Sequence, residues 1–197
     1  MATAFLFIFD FALNSIELNH LAMPIRRPFS FKGWIDEHRH LLKPPVGNQV
    51  VYDDNDDFIV MVVGGPNGRK DYHYNETEEF YFMVEGDMVL KIVEDGKPVD
   101  IPIKEGEIFL LPPKVPHSPQ RPAGSVGLVM ELRRNNGEQD GLMWFCENCN
   151  NKLYDEYFEL KDIVKQFPPI INGFFGDEEK RTCTKCGDMM ELPTIAK

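Results

Sequence analysis

Two hydrophobic periods divide the chain. From Phe31 to Leu42 the pattern FKGWIDEHRHLL can place Trp34, Ile35, His38 and Leu41 or Leu42 on one face at helical spacing, and Pro44 and Pro45 cannot continue it. After that, short runs rich in β-branched and aromatic residues recur between turn signals: QVVYD, DFIVMVVGG, KDYHYN, EFYFMVEG, DMVLKIVE, PVDIPIK, EIFLLPP and VGLVMELRR. Asp95-Gly96-Lys97 supplies a hairpin turn between the fifth and sixth runs. This spacing predicts a mostly β chain, folded as a small antiparallel barrel or jelly roll. From Met143 the character changes to a cysteine pair, a helical stretch DEYFELKDIVKQF and a second cysteine pair. A boundary near residue 144 follows, with one domain over 28–144 and a C-terminal segment over 145–197.

The N-terminus is a separate matter. Ala4 to Leu13 reads AFLFIFDFAL, too short to span a bilayer, and no basic residue precedes Arg26 as a secretory signal would require. Residues 1–27 are expected to be a disordered extension outside the fold, with Met23 opening a more ordinary start; a targeting segment is the alternative.

Composition narrows the partners. The chain has 197 residues, 43% of them hydrophobic, which suffices for one compact domain and a small appendage. With 21 basic against 32 acidic residues the net charge is −11, which repels nucleic acid backbones. No run reaches the roughly 20 apolar residues of a membrane helix. The expectation is a cytoplasmic protein with neither nucleic-acid nor membrane partners, whose four cysteines are reduced. Exposed strand edges would allow a homodimer.

Candidate chemistry comes from strand parity. Arg69, Asp71 and His73 alternate and so share a face, as do Glu79 and Tyr81 on the next strand. His117 and Arg121 have equal parity in HSPQR, and Glu131 sits inside the otherwise apolar VGLVMEL. Charged groups facing a barrel interior are costly unless paired or bound to metal, so several together suggest a site. A lone histidine in a strand is usually structural, and His20, His38 and His40 stay in that class. His73-x5-Glu79 with Gly86, followed by Gly106-x5-Pro112-x-Lys114-x2-His117, resembles the two motifs of the cupin barrels. Asn75 stands where the first motif usually carries a second histidine. The remaining set, two histidines and one carboxylate, is typical of non-haem iron(II) oxygenases.

Cys146-x2-Cys149 and Cys183-x2-Cys186 form two knuckles suited to a tetrahedral metal site. Unligated thiols, or disulfides in a secreted protein, are the alternatives. With four thiolates bound no open position would remain, so such a site would be structural, stapling a tail too small for its own core.

The segments LLKPPVGN, VVGGPNGRKDYH, EIFLLPPKVPHSPQRP and VGLVMELRR resemble the 3-hydroxyanthranilate 3,4-dioxygenase family, from about Phe31 to the C-terminus. The resemblance implies a cupin barrel with flanking helices in which His73, Glu79 and His117 hold Fe(II). It implies that Arg69 lies beside the O2 position, that Arg121 pairs with the substrate carboxylate and that Glu131 contacts the ring amine or hydroxyl. Glu79 would border the substrate, with Asn48 and Asp71 supporting the pocket. It further implies that Cys146, Cys149, Cys183 and Cys186 form a rubredoxin-like site for a second divalent metal, iron or zinc. The implied reaction is ring-opening of 3-hydroxyanthranilate by O2 to 2-amino-3-carboxymuconate semialdehyde. This product is the precursor of quinolinate in NAD biosynthesis through the kynurenine pathway. Two other readings are a cupin enzyme for a different aromatic or small acid, and a non-enzymatic, metal-holding cupin that binds a ligand or scaffolds a partner.

Overall fold

The structure is a computed structural model that describes residues 25–44, 47–52 and 57–193. The expected N-terminal extension, and His20 within it, therefore lie outside the described residues up to position 24. Ile25, Arg26 and Arg27 are exposed and carry no regular structure.

Ser30 opens the first helix, α1 (Phe31–His38), its hydroxyl accepting from the Gly33 N–H at 3.1 Å. A 3-10 turn, Arg39–Leu41, continues it. Ile35 and Leu42 from this segment pack with Val62 and Val126 against the barrel wall. His38 and His40 bond to carbonyls of their own segment, His38 Nδ1 at 2.8 Å from Trp34 and His40 Nδ1 at 3.1 Å from Glu37.

The strands are β1 (Asn48–Val50), β2 (Phe58–Gly64), β3 (Tyr72–Tyr74), β4 (Glu79–Glu85), β5 (Met88–Glu94), β6 (Lys97–Ile103), β7 (Ile108–Leu111), β8 (His117–Gln120), β9 (Val126–Leu132), β10 (Asp140–Phe145) and β11 (Lys152–Phe158). Two antiparallel sheets result, one ordered β1-β2-β9-β4-β7 and the other β11-β10-β3-β8-β5-β6. Their facing sides enclose a core of Met61, Tyr81, Met83, Met88, Leu90, Ile92, Ile103, Leu111 and Val129. This is the cupin jelly roll that the motifs implied. The β5–β6 hairpin turns through Asp95 and Gly96, both at positive φ (49° and 73°), the twist that matches a two-residue turn.

Beyond the eight expected runs, the structure adds β8, β10 and β11. β8 reads HSPQ, with no β-branched residue to announce a strand; neighbours β5 and β3 pair with it instead. The stretch DEYFELKDIVKQF is not one helix as expected. Its first half belongs to β11, because the turn at Cys146–Asn151 returns the chain antiparallel onto β10, with Trp144 opposite Tyr154 and Asp140 opposite Phe158. The helix α2 (Ile163–Phe175) starts later. Asp162 Oδ1 accepts from the Lys165 N–H at 3.1 Å, while Gln166 Oε1 accepts from the N–H groups of Lys161 and Asp162. A short α3 (Glu178–Arg181), capped by Asp177, leads to the second cysteine pair.

β10 runs through residue 144, where the change of character falls, and its pairing with both β3 and β11 carries the sheet past that point. A second apolar cluster of Leu142, Trp144, Phe167, Phe174 and Met190 joins β10, α2 and the C-terminal segment, Trp144 stacking on Phe174 at 4.3 Å. Among the described residues no helix is long and apolar enough to cross a membrane.

Candidate metal centre and substrate cavity

The register of the sheets builds the site. His73 on β3 is directly opposite His117 on β8, both in one sheet. Glu79 opens β4 and is directly opposite Glu131 on β9, both in the other sheet. Parity on β4 turns Glu79 the same way as the core residues Tyr81 and Met83, and parity on β9 turns Glu131 the same way as Val129. Two imidazoles thus face two carboxylates across one end of the barrel, all four side chains buried.

Ligand atoms of His73, Glu79 and His117 lie within 4.8 Å of one another, and His117 Nε2 is 3.0 Å from Glu79 Oε2. Although burial opposes its charge, the His117 imidazole holds Glu79 down to about 2. His117 is correspondingly raised, the Glu79 carboxylate overcoming the effect of burial. Its Nδ1 is 2.9 Å from the Val115 carbonyl, so that nitrogen carries the proton and Nε2 is left to ligate. A convergent set of two imidazoles and one carboxylate fits a divalent metal ion.

Two carboxylates directly opposite each other in a sheet repel. Here the repulsion is eased by Asn75, whose Nδ2 donates to Glu79 Oε2 and Glu131 Oε2, each at 3.4 Å. The departure from the usual two-histidine motif therefore has a place in the site. Burial and the Glu79 charge raise the pKa of Glu131 against the pull of Arg134.

A cavity of about 470 Å³ opens onto this cluster, lined by Asn48, Arg69, Asp71, His73, Glu79, His117, Arg121 and Glu131. All eight were singled out from the sequence, and the fold brings them to one space. Arg121 is 3% exposed, and among the described residues no carboxylate lies within ion-pair distance of its guanidinium. Its side chain instead touches Met83 Sδ at 3.6 Å, and burial pulls its pKa down to about 10. Arg69 is committed differently, gripping Asp71 through Nε at 3.2 Å and through Nη2. Burial opposes the Asp71 charge, yet Arg69 keeps that carboxyl below its ordinary range.

The two sequence motifs are physically one unit. Asn67 in GGPNGR donates from Nδ2 to the Pro119 carbonyl at 2.8 Å and accepts from the Arg121 N–H at 2.9 Å. The Asn67 N–H donates to the Arg121 carbonyl at 3.1 Å. This clamp holds Arg69 and Arg121 on the same rim.

Some residues of the site carried no sequence signal. Ile163, Phe167, Pro168, Ile171 and Phe175 of α2 form an apolar wall of the cavity, and Phe167 sits edge-on to His73 at 5.4 Å. Behind the cavity, Arg134 and Asp140 are buried partners of Glu131 and His73. Nothing in the spacing of Arg134 or Asp140 distinguishes them from surface charges; only the fold turns them inward.

The four cysteines also converge. Their sulfurs lie within 4.8 Å of one another, with Cys146–Cys186 and Cys149–Cys183 both at 3.6 Å. This is far beyond a disulfide bond and close to the edge, about 3.8 Å, of a tetrahedron with metal–sulfur bonds of about 2.3 Å. Asn150 and Gly187, the residues after each second cysteine, take positive φ (58° and 76°). The N–H of Asn150 returns to the Cys146 carbonyl and that of Gly187 to the Cys183 carbonyl, so the two knuckles are alike. Burial opposes the Cys183 thiolate, but the backbone N–H groups of Cys186 and Lys185 bring its pKa to about 6.

Residues 23–175 match the family model of 3-hydroxyanthranilic acid dioxygenase. A curated 3-hydroxyanthranilate 3,4-dioxygenase of Xanthomonas euvesicatoria pv. vesicatoria is 56% identical over 166 residues, 84% of this chain and 93% of the relative. One from Jannaschia sp. is 55% identical over 162 residues, 82% of this chain and 89% of the relative. A solved cupin-2 domain protein of Shewanella frigidimarina has a TM-score of 0.42 and 19% identity over 50% of this chain and 92% of its own. On the family match and the long, highly identical alignments, the chain belongs to the 3-hydroxyanthranilic acid dioxygenase family.

Proposed function

We propose that this protein is a 3-hydroxyanthranilate 3,4-dioxygenase. In this reading His73, Glu79 and His117 hold Fe(II), and the cavity they border takes 3-hydroxyanthranilate and O2. The observation that carries the reading is Arg121, a buried guanidinium with no carboxylate partner among the described residues, facing the same cavity as the two-histidine, one-glutamate cluster. An unpaired buried cation is costly, and a planar carboxylate supplied by the substrate would satisfy it through two parallel hydrogen bonds.

When bound, a ferrous ion here would supply the redox centre that lets singlet substrate and triplet O2 react. The protein's own groups do the rest. Arg121 orients the ring through its carboxylate. Glu131, its pKa raised by burial and by Glu79, accepts the hydroxyl proton or holds the amine. Arg69, steadied by Asp71, offers positive charge where oxygen is reduced. Asn48 supports the rim on β1, and the α2 wall keeps water out. The ring bond that breaks lies between the hydroxyl-bearing carbon and its hydrogen-bearing neighbour. One oxygen atom ends in the new carboxylate and the other in the aldehyde, so no outside reductant is consumed. The product, 2-amino-3-carboxymuconate semialdehyde, would cyclise to quinolinate and feed NAD biosynthesis.

The four-cysteine site would hold a second divalent metal, iron or zinc, in a structural role. Sulfurs gathered for a metal instead of paired as disulfides accord with a reducing, cytoplasmic setting. A homodimer belongs to the same proposal, supported by Ile108 and Leu110, which are 66% and 52% exposed on the edge strand β7.

The test mixes Fe(II)-loaded protein, O2 and 3-hydroxyanthranilate and follows the near-ultraviolet band of the muconate product. The expected result is one O2 consumed per product, with His73→Ala inactive and depleted in iron. An iron-replete protein that turns over another aromatic from a substrate panel, but not this one, would overturn it.

A further inference from the structure

Neither Arg134 nor Asp140 lines the cavity, yet the two connect its two working halves. Arg134 follows β9, and its side chain is 3% exposed. Its Nη1 lies 2.7 Å from Glu131 Oε2. The other edge of the same guanidinium makes a two-pronged contact with Asp140, Nε to Oδ1 at 2.7 Å and Nη2 to Oδ2 at 2.6 Å. Asp140 is fully buried at the start of β10, and its Oδ2 also lies 2.6 Å from His73 Nε2. One buried cation thus joins the carboxylate proposed to meet substrate to the carboxylate that bonds a proposed metal ligand.

From this we infer that Arg134 is a positioning residue for both halves of the site, acting through Glu131 on the substrate side and through Asp140 on the metal side. The inference rests on the dioxygenase reading above, which assigns Glu131 and His73 those sides.

An imidazole that donates one N–H to a carboxylate has its tautomer and ring plane fixed, and its other nitrogen is left as the lone-pair donor. Asp140 can do this only if its own orientation is fixed, and the planar fork of Arg134 fixes it. Glu131 is directly opposite Glu79 and would otherwise swing away from that like charge. Lysine could pair with either carboxylate as a point charge, but it could not span both with this geometry.

The experiment measures metal binding and ligand binding separately, without turnover. Co(II) held per chain is measured against a graded chelator, and the amount retained by His73→Ala protein is subtracted as the cysteine-held fraction. Affinity for 3-hydroxyanthranilate is then measured on the Co(II) protein without O2. Asp140→Asn should weaken Co(II) binding about 10- to 100-fold and leave ligand affinity per loaded site unchanged. Glu131→Gln should do the reverse. Arg134→Met should weaken both, and adding Asp140→Asn to it should cost no further Co(II) affinity, because the two act as one unit. Arg134→Lys, which keeps the charge, should restore part of one effect but not both.

Should Arg134→Met disrupt folding, as judged by near-ultraviolet circular dichroism, Asp140→Asn and Arg134→Lys carry the test. Wild-type Co(II) affinity in Asp140→Asn, or strict additivity in the double variant, overturns the inference while leaving the dioxygenase reading intact. Equal Co(II) uptake by wild-type and His73→Ala protein overturns both.

Discussion

At the scale of single residues, the seat of Arg121 is made by what is missing beside it. A Cβ on Gly127 would come within 2.7 Å of Arg121 Nη1 and 3.0 Å of Met83 Sδ. The glycine on β9 therefore leaves the space in which the guanidinium lies against the barrel wall. Gly127→Ala should push that group into the cavity, and Arg121→Lys should remove its second prong. Both should raise KM at least about tenfold, in line with roughly 1.5–3 kcal/mol for a hydrogen bond to a charged group, with a smaller effect on kcat. Steady-state kinetics decides the matter: an unchanged KM in Gly127→Ala protein would mean that Arg121 is not confined as described.

At the scale of elements, α1 is tied to the barrel by one forked ion pair. Arg39, in the turn after α1, donates from Nη1 and Nη2 to both oxygens of Glu85 on β4, each at 2.8 Å. These hydrogen bonds hold Glu85 below its usual value of 4.5. A carboxylate depressed in the folded state contributes stability above its unfolded pKa and loses it as pH falls through the folded one. Both groups are partly exposed, so the contribution is small, about 0.2–1 kcal/mol. The melting temperature of Arg39→Ala should lie below wild type at about pH 6, and the gap should close as pH falls through the lowered pKa values of Glu85 and of Asp36, which Arg39 also pairs with. A gap that stays constant over that range would point to lost packing by the arginine stem instead.

At the scale of the whole molecule, a metal held by the cysteine knuckles would decide where α2 rests. One knuckle is the β10–β11 turn and the other follows α3, so a metal held between them closes the loop of chain that contains α2. That helix supplies Phe167 and Ile171 to the cavity wall and Phe174 to the cluster around Trp144. Cys183→Ser should release the metal proposed for this site and lower the thermal midpoint. It should also raise KM about fivefold, equivalent to about 1 kcal/mol, while the metal proposed at His73 stays bound. Metal analysis, calorimetry and kinetics on the same sample test this together, and a cavity indifferent to the cysteines would show unchanged KM with one metal lost.

Much of this architecture was legible in the chain itself, because strand parity is a local property. Alternation put Arg69, Asp71 and His73 on one face and Glu79 with Tyr81 on another, an apolar setting singled out Glu131, and runs of β-branched and aromatic residues marked eight of the strands. The cysteine spacing announced two knuckles for the same reason: a turn that points two sulfurs at one place is built from a handful of neighbouring residues. Local pattern failed where partners are distant. HSPQ becomes a strand only because β5 and β3 flank it, and DEYF becomes β11 because a cysteine turn folds it back onto β10. Arg134 and Asp140 look like surface charges in one dimension. The ends of β9 and β10 place them behind Glu131 and His73, where burial makes their pairing obligatory. The sequence determined which chemical groups could meet. Only tertiary structure decided what stands behind them, since side chains from separate strands become neighbours through register and not through spacing.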